Sequence, residues 1–187
     1  MFFHWGNYML SNELMHGDVL LYEYKKRASF LTRCIRLITG NKFIHSSIVR
    51  KIDGKLFILE ALSSRLHSYV PFYYTYLGEV IHCFRPKFPI PDVIEKPYFV
   101  PETYGFLCVA DSLLNHTLGR VTFRKWEYKP FLQQFFNATH TDCSVLVAEM
   151  LDLEKNTDWC KFNRVVEPDD FSLHPETFEY LGIVEFV

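Results

Sequence analysis

The sequence lacks any apolar run near the ~20 residues that a membrane-crossing helix needs, so no transmembrane segment is expected. It also lacks a CxxC pair. Its five cysteines, Cys34, Cys83, Cys108, Cys143 and Cys160, are odd in number and irregularly spaced. That pattern argues against a disulfide framework or a zinc ribbon and favours a reducing compartment. Residues 1–10 are apolar and aromatic but have neither a basic start nor a small-residue cleavage site, so no signal peptide is expected. There is no internal repeat, no low-complexity tract and none of the signatures of nucleic-acid modules, so no nucleic-acid partner is expected. Neither sign of charge dominates: 20 basic residues stand against 22 acidic ones, a formal net charge of -2.

What is present is core material. Apolar residues make up 49% of the 187 positions and aromatic residues 17%, enough for a folded globular chain. The length fits a single domain over 1–187 with an extended proline-rich connector at about 86–101, carrying Pro86, Pro89, Pro91, Pro97 and Pro101. The composition suits a cytoplasmic protein, and nothing in it calls for a cofactor. The charges are unevenly placed. Lys25, Lys26, Arg27, Arg33, Arg36, Lys42, Arg50 and Lys51 form a stretch without an acidic residue, whereas acidic residues dominate from Asp142 onward. The Lys25–Lys51 region can attract an anionic ligand or a lipid surface, and it equally fits a solvated helix face.

Residues 1–15 are weakly patterned. Gly17-Asp18 opens a β-prone run to Tyr24, and Lys25 to Thr39 switches to helical spacing, stopped by Gly40. Phe43–Ile52 and Lys55–Leu62 flank Asp53-Gly54, the dipeptide of a two-residue type I′ turn, and so read as a hairpin. In that register Ile52 opposes Lys55 and paired numbers sum to 107. His45 then faces Leu62, and Glu60 is its diagonal neighbour on the same face. Ser68 to Tyr76 is aromatic-rich, and a further strand is expected over Glu79–Arg85. Glu102–Leu118 has helical spacing, Val121–Asn137 is ambiguous, and Leu181–Val187 is expected as an edge strand. A short helix opens near Cys143, with Thr141 or Asp142 as N-cap and Val145, Leu146, Met150 and Leu151 as its buried stripe.

A cysteine in the first turn of a helix sits at the positive end of the dipole, where the reactive thiolate is favoured. Nucleophilic catalysis also needs an imidazole to handle the proton and a group to orient the imidazole. Cys143, His45 and Glu60 supply the three, and the backbone N–H of Cys143 is a natural oxyanion donor. From the residues alone two readings stand: this triad, or a packing cysteine beside a strand histidine and a rim carboxylate. His140, His116, His82 and His67 are rival bases. A metal site on His140 and Cys143 lacks a second pair at ligand spacing.

Asp142-Cys143-Ser144-Val145-Leu146-Val147 resembles the nucleophile motif of NlpC/P60 papain-like cysteine peptidases. The order His45, Glu60, Cys143 resembles the circularly permuted, YiiX/YebB-like branch of that superfamily. Gly17-Asp18, Thr39-Gly40, His45-Ser46 and Glu60-Ala61 follow in the order of that branch, over about residues 16–155. The resemblance implies an α+β, circularly permuted papain-like (NlpC/P60) fold. In it the nucleophile helix packs on an antiparallel sheet or small barrel that carries His45 and Glu60. It implies a cysteine hydrolase acting on a peptide-like or acyl substrate at an amide or ester carbonyl. Permuted relatives include lecithin–retinol acyltransferase-like proteins, which act on lipid acyl groups. They carry an N-C-E-H motif and a second histidine where this chain has Glu60. Two alternatives therefore accompany the amidase or peptidase: a lipid or thioester acyltransferase or thioesterase on the same thiol, and a catalytically inactive binding module.

Overall fold

The structure, a computed structural model, describes residues 8–23, 30–62, 65–71, 80–90, 114, 117, 143–160 and 166–185. Its elements in chain order are β1 (Tyr8–Leu10), β2 (Val19–Glu23), α1 (Phe30–Thr39), β3 (Phe43–Ile52), β4 (Lys55–Leu62), β5 (Arg65–Pro71), β6 (Ile81–Pro86), α2 (Cys143–Met150), α3 (Leu153–Asn156), α4 (Asp170–Leu173) and β7 (Phe178–Glu185). The strands form one sheet in the order β1-β7-β6-β2-β3-β4-β5, an α+β arrangement. The expectation of an antiparallel sheet or small barrel needs correcting. The sheet is open, with β1 and β5 at its edges, and it is mixed, because β1 runs parallel to β7.

The central strand shows why the sheet is covered on both faces. Val19, Leu20, Leu21 and Tyr22 of β2 are all buried. Alternation sends Val19 and Leu21 to a cluster with Leu146, Val147, Leu151 and Phe171. Leu20 and Tyr22 go to a second cluster with Leu14, Val49, Ile58 and Ile81. Each such aliphatic side chain contributes about 1.5–3 kcal/mol on burial.

The hairpin forms as its turn residues require. Asp53 and Gly54 both have positive φ, 49° and 77°, the type I′ pattern whose twist matches the flanking strands. The ladder runs from Ile52↔Lys55 to Ile48↔Leu59 in the register that the turn fixes. Helix α1 ends at Thr39, where Gly40, at φ 76°, donates its N–H to the Arg36 carbonyl at 2.7 Å.

Gly17 and Asp18 have structural roles. Gly17 has φ 88°, and a Cβ there would lie 2.1 Å from Ile90 Cδ1. The fully buried Asp18 carboxylate takes a fork of two 2.8 Å hydrogen bonds from the Arg85 guanidinium and a third, also 2.8 Å, from the Met15 N–H. This pair ties the turn before β2 to the end of β6.

Three expectations shift. The last strand is Phe178–Glu185 and lies inside the sheet, because β1, from the weakly patterned lead-in, adds on its outer side. Strand β5, Arg65–Pro71, starts before the aromatic-rich stretch and was not expected. The strand expected over Glu79–Arg85 runs Ile81–Pro86. Lys25–Arg27, residues 91–101, the ambiguous 121–137 and the N-cap candidates Thr141 and Asp142 lie outside the described residues, as does all of Glu102–Leu118 except Leu114 and Thr117, both helical.

Candidate active site

Helix α2 packs on β3 and β4, the two strands of the hairpin. It is buried on most of its surface: Cys143, Ser144, Leu146, Val147, Ala148 and Met150 are buried, and Glu149 is exposed. The expected stripe is thus broader than a single face, and Val145 is only half-buried. A residue at the first position of a helix has no intrahelical acceptor for its N–H, so the Cys143 amide is free of the helix ladder. The helix closes at Asp152, whose φ of 51° is the left-handed conformation that aspartate tolerates.

The strands place His45 and Glu60 at irregular points of the sheet. Tyr22 pairs with His45 and Glu23 with Phe43, so Ile44 is an extra residue in β3. Between Glu60↔Ser68 and Leu62↔Arg65 the register slips again, on the other flank of the hairpin. Bulges of this kind re-aim the side chains next to them. Here His45 Nε2 lies 2.9 Å from Glu60 Oε2. Glu60 is fully buried, and the His45 side chain is 17% exposed. A carboxylate only accepts, so Nε2 carries the proton and Nδ1 is the nitrogen left to face a second partner.

Burial works to lower the His45 pKa, but the electrostatic and hydrogen-bonding influence of Cys143, followed by that of Glu60, outweighs burial and pushes it up to about 10. The structure therefore brings His45 and Glu60 together from β3 and β4, and α2, which starts at Cys143, packs on both strands, near enough for Cys143 to act on His45 electrostatically. Ser144, one residue on, has its Oγ 3.8 Å from Cys143 Sγ and accepts a 3.4 Å hydrogen bond from Ser46 Oγ, which ties the helix start to β3.

The opening of β3 is held from the far end of the chain. Asp169 accepts from the Lys42 N–H at 2.9 Å and the Phe43 N–H at 2.8 Å, and Asn41 Nδ2 donates to Glu167 at 2.8 Å. Burial raises the Asp169 pKa, against the two backbone hydrogen bonds.

Of the rival bases, His82 is placed elsewhere. Its Nε2 is 3.2 Å from Glu23 Oε2 and its Nδ1 is 3.2 Å from the Tyr180 hydroxyl. His116, His140 and the His67 side chain lie outside the described residues, so the His140–Cys143 metal alternative does too. Among the described residues no group of three or more His, Cys, Asp or Glu side chains is placed to hold a metal ion. No helix among them is long and apolar enough to cross a membrane. Within the basic region Arg33, Arg36 and Lys51 are exposed. Lys42 is drawn inward, 4.0 Å from Glu23 Oε1, and burial lowers its pKa.

No family model and no curated protein matches the chain.

The sequence did not single out Tyr22, which packs against the His45 ring at 5.0 Å between centroids. The signal that would have found it is the β2–β3 register, which no local turn specifies.

Proposed function

We propose that the chain is a cysteine hydrolase that cleaves an amide bond of a peptide-like substrate through an acyl-enzyme on Cys143. The observation that supports this reading is the 2.9 Å contact between His45 and the fully buried carboxylate of Glu60, on the two strands against which the helix of Cys143 packs. A buried Glu–His–Cys series is the arrangement that covalent catalysis by a thiol requires. It also supports reading the sheet and α2 as a circularly permuted papain-like domain of the NlpC/P60 kind, and a cytoplasmic setting suits cysteines such as Cys83 and Cys143, which are buried and in no disulfide.

The Cys143 thiolate attacks the carbonyl carbon, and the carbonyl oxygen takes the displaced electron pair. The Cys143 backbone N–H donates to that oxyanion. The His45 imidazolium gives its proton to the amide nitrogen, the C–N bond breaks, and the amine leaves. A water then attacks the thioester while neutral His45 takes its proton, and the carboxylic acid departs as the thiolate and imidazolium re-form. Glu60 keeps the ring oriented and balances its positive charge throughout.

The tests are iodoacetamide alkylation of Cys143 across pH and, on separate unalkylated protein, mass spectrometry of the acyl adduct left by peptide-like substrates. A Cys143 that reacts faster than a free thiol, loses this on His45→Ala and carries a peptide acyl group is expected. A thiol no faster than free cysteine and indifferent to His45 overturns the reading. A fatty-acyl adduct would reassign the substrate to lipid.

A further inference from the structure

We propose that Tyr22 is the positioning residue for His45, the side chain that stops the imidazole from turning away from Cys143. This inference rests on the proposed Cys143–His45–Glu60 site. The hydrogen bond from Nε2 to Glu60 Oε2 at 2.9 Å fixes one point of the imidazole but does not by itself set the plane of the ring. A flat, buried neighbour does.

Tyr22 is such a neighbour. It is directly opposite His45 in the β2–β3 register and is 3% exposed. The two rings lie 5.0 Å apart between centroids and are tilted by 45°. Tyr22 is in turn held. Its hydroxyl is 2.8 Å from the Oγ of Ser47, which is itself fully buried and two residues along β3 on the same side as His45. The pair sits beside the extra residue Ile44, where the strand is least able to orient the ring by regular pairing. Glu60 sets which nitrogen carries the proton, and Tyr22 sets the direction in which Nδ1 points.

The experiment compares Tyr22→Leu, which keeps apolar volume but loses the flat face, with Tyr22→Phe, which keeps the ring. The expected result is alkylation of Cys143 at neutral pH slowed about tenfold or more in Tyr22→Leu and restored to within about twofold in Tyr22→Phe, as for other small misplacements of a catalytic group. The NMR titration midpoint of His45 is expected to fall below about 10 in Tyr22→Leu and to stay at about 10 in Tyr22→Phe, with an unchanged Tm in both variants excluding general loosening of the core. Tyr22→Leu reacting like the wild type, with the same His45 titration, overturns the proposal, and so does Tyr22→Phe as impaired as Tyr22→Leu. If Tyr22→Leu does not fold, the wild type decides. Its His45 ring protons must show nuclear Overhauser contacts to the Tyr22 ring, and their absence overturns the proposal. His45→Ala, run beside these variants, separates the two ideas. A wild-type thiol indifferent to His45 would remove the site itself, whereas a His45-dependent thiol indifferent to Tyr22 would remove only this inference.

Discussion

His45 and Glu60, fifteen residues apart in the chain, meet across the Asp53-Gly54 hairpin at 2.9 Å, with the carboxylate fully buried and the imidazole at the rim. A carboxylate removed from water is stable only when a cationic or donor partner meets it. The pair is therefore a structural unit, and in the proposed site it would hold a protonated imidazole for Cys143.

The first prediction concerns the relative weight of the two partners. His45→Ala removes the proton carrier and is expected to lower kcat/KM by about 100-fold or more, the usual scale of general acid–base catalysis. Glu60→Gln retains a hydrogen-bond acceptor and is expected to cost less. Steady-state kinetics on the peptide-like substrate that leaves an adduct on Cys143 checks the order, and a larger loss for Glu60→Gln would mean its role is misassigned.

The second is an alkaline limit. His45 carries its proton to about pH 10, so kcat should hold through neutral pH and fall as pH rises through that value. The same shift acts on stability. A folded pKa above the unfolded 6.5 gives a contribution that is complete below 6.5 and lost as pH rises toward 10. In His45→Gln the high-pH decline in Tm should shrink. A Tm profile unchanged by that substitution would contradict the raised pKa.

The third is an acid limit set by His82. Burial lowers its pKa from 6.5, against the Glu23 hydrogen bond. The unfolded chain therefore binds the proton more readily than the folded one. The stability is present above 6.5 and is lost as pH falls below it. Thermal unfolding of His82→Gln should show a flatter acid decline than the wild type, and an equally steep one would place the acid sensitivity elsewhere.

The fourth concerns the Asp18–Arg85 pair. Arg85→Met leaves a fully buried carboxylate without its cation and is expected to cost about 3–5 kcal/mol in urea unfolding. Replacing both residues, Asp18→Asn with Arg85→Met, should recover part of that loss. A double variant less stable than Arg85→Met would show that Asp18 acts through its backbone partners instead.

Much of the site was legible because its geometry is local. Asp53 and Gly54 dictate a two-residue turn, the turn dictates the register, and the register puts His45 diagonal to Glu60. The regular ladder, though, is recorded only as far as Ile48↔Leu59, and the two side chains meet beyond it, next to bulges that no residue pattern announced. Gly40 as a helix stop and Cys143 at a helix start were readable for the same reason, each depending on the residues next to it.

The sequence by itself determined the hairpin, the β2 and β3 strands and the helix stop at Gly40. Each follows from backbone preferences and side-chain alternation within a few residues. Only the tertiary structure decided that the helix of Cys143, some hundred residues away, packs on the strands of His45 and Glu60, that β1 covers the outer side of β7, and that the Tyr22 ring lies against the imidazole. Those contacts join segments whose local preferences are satisfied in many arrangements, and burial of the two apolar faces of the sheet selects among them.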